Sequence, residues 1–313
     1  MERATWMRDA VQAGGELHAM KASPVRHNLI NLAATLGWIG LGLGLASLGR
    51  LLPWWIYLPV AAVGFGSLFF GTFILIVHEC SHNMYVLTRD RGLQRKLNHW
   101  IGRVAAAPFA TDYVRHWEKG HTTHHLRPCE PDDPQDRDPI TGPTLYKMLA
   151  KVLFVPGFYA TINPSNQYGF NPRRLLFGVI GLGLMVGTGY LLGGWPAAVG
   201  MLLGTQVLMA LNLCKKAQEH GSGLKDEPDV LMRSRTYLYA LSPLFSPFFI
   251  NYHWEHHANF NVPWYLLPAY HRKLRAIVPD ALQPYMFHAR YLEQMAGRFP
   301  RIPAELRPML EKA

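Results

Sequence analysis

The stretch WWIYLPVAAVGFGSLFFGTFILIVHECSH, residues 54–82, decides the fold. Trp54 to Val77 contains no charged side chain and is long enough, as a helix, to cross a hydrocarbon core roughly 30 Å thick. Two tryptophans open it, where amphipathic rings favour a membrane–water interface. The run passes without a break into His78-Glu79-Cys80-Ser81-His82. One helix therefore carries two histidines a turn apart, just beyond the membrane surface.

Working outward, three further apolar runs appear at residues 29–52, 175–192 and 195–214. With residues 54–77 they predict an all-α integral membrane protein of four spans in two hairpins. The whole chain, 1–313, reads as a single domain. Gly40-x-x-x-Gly44 in the first run invites close helix contact. Arg50 and Pro53 mark the first hairpin turn, and the turn between the last two runs is too short to hold a domain. Both termini and the middle segment then share one side. Of 31 Lys and Arg residues only Arg50 falls in a loop on the other side, so the common side is expected to be cytoplasmic in an inner-membrane, multi-pass protein. No cleavable signal peptide is expected, because the first apolar run follows 28 mostly polar residues.

Composition agrees with this division. Apolar residues make up 49% and charged residues 17%, and the mean hydropathy of +0.00 averages long apolar runs with polar segments. The net charge of +10 raises nucleic acid as a partner, but the basic residues are scattered along loops with no binding motif, and membrane topology accounts for them. Cys80, Cys129 and Cys214 form no C-x-x-C pair, which excludes a rubredoxin-like or iron–sulfur site and a disulfide framework. Between the hairpins, residues 98–110 suit a surface or re-entrant helix and residues 144–162 an interfacial one. Residues 129–139 read as a rigid proline turn, and residues 237–252 are a further interfacial candidate.

The histidines set the chemistry. His121-x-x-His124-His125 and His253-x-x-His256-His257 each place three imidazoles on one helical face. Gln218-Glu219-His220 stands just past the fourth run, as His78 and His82 stand past the second. The candidate metal set is thus His78, His82, His121, His124, His125, His220, His253, His256 and His257. Nine imidazoles exceed what one zinc needs, and two metals are expected. Ligand type alone leaves zinc, iron, copper and nickel open; two nitrogen-rich sites with open positions suit iron and dioxygen. His18 and His27 are expected to be solvated. His99, His271 and His288 lack a partner at helical spacing, and His116 is a candidate support. Glu79, Glu118, Glu219 and Glu255 are candidates to orient an imidazole through its second nitrogen. Trp117, Trp254, Trp264 and Tyr265 are candidate channel linings.

Two other classes compete. His78-Glu79-x-x-His82 matches the H-E-x-x-H of zinc metalloproteases, with Glu79 as general base, but it leaves seven histidines unexplained. A metal-transport path would place ionisable residues within the spans, and none is charged apart from Arg50 near an end.

Taken together, the three histidine boxes and the ninth histidine are similar to those of the membrane fatty acid desaturase superfamily. Asn251-Tyr252-His253-Trp254-Glu255-His256-His257, then Val262-Pro263-Trp264-Tyr265 and Leu267-Pro268-Ala269-Tyr270-His271, extend the likeness. The resemblance covers about residues 30 to 275. It implies four membrane helices under a cytoplasmic helical cap, a di-iron centre of two Fe ions, and a kinked channel for an acyl chain. It also implies an O2-dependent oxidation of an unactivated C–H bond in a fatty acyl or related lipid chain. Desaturation comes first, with hydroxylation, ketolation and oxidative decarboxylation as alternatives. No cytochrome b5 signature or bound haem or flavin is expected, so a separate donor of ferredoxin, rubredoxin or cytochrome b5 type, with its reductase, is implied. A cationic face would steer an acidic donor. In one departure, some acyl-CoA desaturases carry an asparagine one turn before the ninth histidine, where this chain has Lys216.

Overall fold

The computed structural model describes residues 4–21, 23–135, 140–221, 223–288, 290–298 and 301–311. Three helices are long and apolar enough to cross a membrane: Pro24–Arg50, Trp54–Ser81 and Pro172–Asp226. The third is broken at Gly194, whose φ of 71° and ψ of −166° leave the helical region. The break falls between the third and fourth apolar runs of the sequence. Only glycine enters such a conformation without steric cost.

Arg50 explains itself at this turn. Its Nε and Nη2 donate to the carbonyls of Leu192 and Leu191, both at 2.7 Å, which satisfies groups a helix end leaves without intrahelical partners. Gly193 is needed there for closeness, since a Cβ on it would lie 1.8 Å from the Ala46 carbonyl oxygen. Gly40 and Gly44, by contrast, have nothing within 4 Å of a built Cβ. The close contact expected of that motif occurs elsewhere, at Gly71 against the Trp38 indole, which donates to Leu68 O at 2.8 Å.

Contacts divide the chain into two compact units, Pro24–Thr122 with Tyr146–Leu213, and Met1–Ser23 with Thr123–Leu145 and Cys214–Ala313. In the first unit the Trp54–Ser81 helix is central, 56% of its most apolar window being buried against 11% for each of the other two. The others leave Leu29, Leu36, Ile39, Leu175, Val179 and Ile180 bare, as helices do when lipid is their solvent. A surface helix, Arg91–Ala106, begins at Asp90, whose side chain accepts from Gly92 N and Leu93 N, a standard N-cap. It starts earlier than the expected surface helix and ends at Ala106. Gln94, Asn98, Gly102 and Ala106 form its buried face. His27 corrects the sequence expectation: it is fully buried, with Nε2 at 2.5 Å from Met84 O and 3.0 Å from Asn31 Nδ2.

The second unit has its own core, in which Met7, Trp254, Tyr270, Leu274 and Met286 are buried together. The polar lead-in is helical over Thr5–Glu16 and is tied down by Tyr270 Oη donating to Ala10 O and Trp6 Nε1 to Met309 O, both at 2.7 Å. A short parallel pair joins Thr236–Tyr237 to Phe287–His288. Residues 237–252 supply part of that strand and two short helices, Ser242–Phe245 and Pro247–Phe249.

Candidate metal centre

Each histidine is placed by local backbone that departs from a plain α-helix. In the first unit the central helix widens to a π-helix over Phe73–His78 before Glu79–Ser81 finish it. A second π-helix, Tyr113–Lys119, leads into the Gly120–Leu126 helix. π-Turns cluster at functional sites because the extra residue re-aims the side chains that follow. His78, His82 and His121 converge as a result, with ring centres 4.7–4.9 Å apart and donor nitrogens within 4.8 Å of one another. Asn83, with φ of 58°, ends the helix right after His82. Glu79 Oε1 lies 3.2 Å from His78 Nδ1. Trp117 stands beside the set, its ring centre 5.6 Å from that of His121 and 5.8 Å from that of Phe73.

The second unit holds six of the nine. The Gly120–Leu126 helix carries His124 and His125, the end of the Pro172–His220 helix carries His220, and the His253–Ala258 helix carries His253, His256 and His257. Two consecutive left-handed residues, Phe248 and Phe249, turn the chain into that last helix, a departure costing about 1–3 kcal/mol each that persists where surrounding structure demands it. The donor atoms of His124, His220, His253 and His257 lie within 4.8 Å of one another, and all four residues are buried. His220 Nε2 and His253 Nε2 face each other at 2.8 Å. His125 and His256 stand side by side, ring centres 4.5 Å apart.

Two of the opposite ring nitrogens are hydrogen-bonded: His124 Nδ1 to Asp133 Oδ2 at 2.9 Å and His220 Nδ1 to the Arg233 carbonyl at 2.8 Å. Glu219 Oε1 lies 3.2 Å from His253 Nδ1 without hydrogen-bond geometry. An acceptor on Nδ1 sets the tautomer so that Nε2 presents a lone pair. Burial, reinforced by His257, Lys215 and His220, drives the His253 pKa well below its ordinary value, which keeps the ring neutral as a ligand requires. Four buried imidazoles whose donor atoms lie within 4.8 Å of one another fit a transition-metal ion.

The expected carboxylates divide. Glu79 and Glu219 stand by a box histidine, and Lys215 also pairs with Glu219. Glu118 pairs instead with His99 at 3.0 Å. Glu255 faces Thr236 Oγ1 and His271 Nδ1, so His99 and His271 do have partners, which spacing could not reveal. His116 is buried with its ring edge toward Trp117 and Tyr168. Trp254 is fully buried between Trp6 and Phe287, whereas Trp264 and Tyr265 pack on each other beside Phe248. Lys216 donates to the Gln135 carbonyl.

Asp133 is the residue that the sequence reading missed. It sits in the acid-and-proline loop, where Oδ2 also accepts from Cys129 N at 2.9 Å and Oδ1 from Gln135 N at 2.8 Å. The described part of that loop, residues 129–135, turns through Glu130 N donating to Arg127 O and Asp133 N to Glu130 O, and so holds a carboxylate on His124. Residues 136–139 of the expected proline turn lie outside the described residues. A carboxylate shortly after a histidine box was the available signal.

The model of the fatty acid desaturase family matches residues 22–289. The chain belongs to that family. It is also 27% identical over 103 residues to the sn-1 acyl-lipid omega-3 desaturase (ferredoxin) of Synechocystis sp., a match covering 33% of this chain and 26% of that relative. Family membership favours the desaturase reading of His78-Glu79-x-x-His82 over the protease one.

Proposed function

We propose that the chain is a membrane-bound di-iron oxidoreductase that acts on a fatty acyl or related lipid chain, with desaturation as its reaction. The observation that carries this is the buried set His124, His220, His253 and His257, whose donor atoms lie within 4.8 Å of one another, with His124 Nδ1 and His220 Nδ1 held by Asp133 and the Arg233 carbonyl. These four are assigned to one iron. His78, His82 and His121 are assigned to the other. All-imidazole donors with open positions suit iron that meets dioxygen. Iron so held would supply activation of O2 toward an unactivated C–H bond.

The protein's own part is to gather the imidazoles, to turn His124 and His220 through Asp133 and the Arg233 carbonyl, and to bury His124, His220, His253 and His257 away from water. Desaturation removes two hydrogens and two electrons from the chain; two more electrons from a donor complete the reduction of O2 to water. Cys80, Cys129 and Cys214 form no disulfide among the described residues and are too few for an iron–sulfur cluster of the usual four thiolates, so a separate redox protein is proposed. The relative's name specifies ferredoxin, and a small acidic protein of that type suits a chain of net charge +10. Gly194 is read as the turn of a second hairpin, which makes four spans and leaves only Arg50 among the basic residues on the far side. The termini and histidines would then be cytoplasmic, and both compact units would work as one functional domain.

Iron-loaded protein supplied with O2, a lipid extract, ferredoxin and its reductase tests the reading by mass spectrometry of the acyl chains. Products lighter by two hydrogens are expected. Products heavier by one oxygen would make the enzyme a hydroxylase. Unchanged chains from protein carrying zinc and no iron would sink the proposal.

A further inference from the structure

A groove of about 660 Å³ opens in the first unit, between the end of the Arg91–Ala106 helix and the start of the Pro172–His220 helix. Its floor is close-packed: a Cβ on Gly178 would lie 2.7 Å from Ala110 Cβ, and one on Gly181 would lie 3.0 Å from Pro108. Trp100, Val104 and Phe177 give it apolar walls and remain 53%, 71% and 57% exposed. Exposed aromatic and aliphatic side chains beside a polar rim mark an interaction site. Leu175 and Leu176 continue the bare surface along the apolar helix, so one end of the groove opens onto that helix's apolar face.

The rim is cationic. Arg103, Arg173 and Arg174 line it, but they are not equivalent. Arg174 is engaged, with Nη1 donating to the Ser165 carbonyl at 2.6 Å. The Arg103 guanidinium lies over the Trp100 ring at 4.9 Å with Nη1 3.4 Å from His99 Nε2, and Arg173 makes no ion pair among the described residues. Asp112, the groove's acid, is taken by Arg115 Nε at 2.9 Å. Two guanidinium groups therefore stand without a carboxylate above an apolar trough that begins where a membrane-crossing helix begins. Guanidinium forks match phosphate oxygens, and basic pockets at the ends of spans recognise anionic head groups.

We propose that this groove holds one anionic membrane phospholipid, with its phosphate on Arg103 and Arg173 and an acyl chain along Trp100, Val104 and Phe177. The proposal rests on the Pro172–His220 helix lying in a membrane and is independent of the metals. A soluble anionic partner would satisfy the arginines and leave the trough bare. A lipid covers both.

The test compares purified wild type with Arg103→Gln/Arg173→Gln and with Arg95→Gln/Lys96→Gln, a pair on the same helix outside the groove. Each is extracted from vesicles of phosphatidylcholine with phosphatidylglycerol, and retained lipid is read by native mass spectrometry. Wild type should retain phosphatidylglycerol preferentially. The groove variant should lose that preference by about thirty-fold, from about five-fold per basic residue near the membrane, while melting unchanged in pure phosphatidylcholine. The Arg95/Lys96 variant should keep it. Undiminished preference in the groove variant, or equal loss in both variants, would overturn the proposal. Displacement of the lipid by inorganic phosphate would overturn it as well, because the trough would then contribute nothing.

Discussion

The two regions that carry histidines hold them by different means. In the first unit, His78, His82 and His121 are aimed by backbone: two π-helices re-set the side chains that follow. In the second unit, His124 and His220 are aimed by partners on their far nitrogens, a carboxylate and a carbonyl. The contrast follows from surroundings. A helix emerging from hydrocarbon has few polar groups to lend beyond its own Glu79 on His78, so most of the geometry comes from the main chain. The second unit has loops that can reach in, and Asp133 and Arg233 both do so.

The largest effect should come from removing a ligand from either region. His253→Ala and His78→Ala should each abolish turnover and each lower iron by about one ion per chain, as two separate ion sites require. Elemental analysis beside single-turnover product assays decides this. Loss of both ions from either variant would dissolve the distinction between the sets, and full iron in the His78 variant would remove it from the site. His288→Ala serves as the unaffected control.

A smaller effect should follow from cutting the partner rather than the ligand. Asp133→Asn deprives His124 of its carboxylate and should cost about 10–100-fold in iron affinity or activity, the usual range for such partners. Glu118→Gln should cost little, because Glu118 pairs with His99. Competition with a chelator measures both. Equal losses would mean that the Asp133 contact is no more than loop packing.

The smallest effect lies outside both sets and concerns pH. Burial lowers the His288 pKa, with Arg290 and Arg235 acting in the same direction and Glu293 opposing. A histidine whose folded pKa lies below its unfolded value of about 6.5 binds fewer protons when folded. Its contribution is present above that value and is lost as pH falls through it. Metal-free protein should melt progressively lower as the pH is taken from 8 toward 5, and His288→Gln should flatten the slope slightly. An unchanged slope would place the acid sensitivity in the box histidines instead.

Much of this was legible in the chain. Apolar runs announce helices that need no tertiary help to be recognised, because each must satisfy its own backbone in lipid. Histidines at positions i, i+3 and i+4 announce a shared face, because helical geometry is local. By itself, then, the sequence marked four apolar runs, which the structure carries on three long helices with the last broken at Gly194, and the spacing that puts histidines on shared helical faces. It could not show that His27 is buried against Met84, that Gly40 and Gly44 face open space while Gly71 takes the close contact, or that His271 belongs to Glu255. Nor could it show that Asp133 serves His124. Only the tertiary structure decided these, for one physical reason: a polar side chain's partner is set by which distant backbone passes within about 3 Å, and no local periodicity records that.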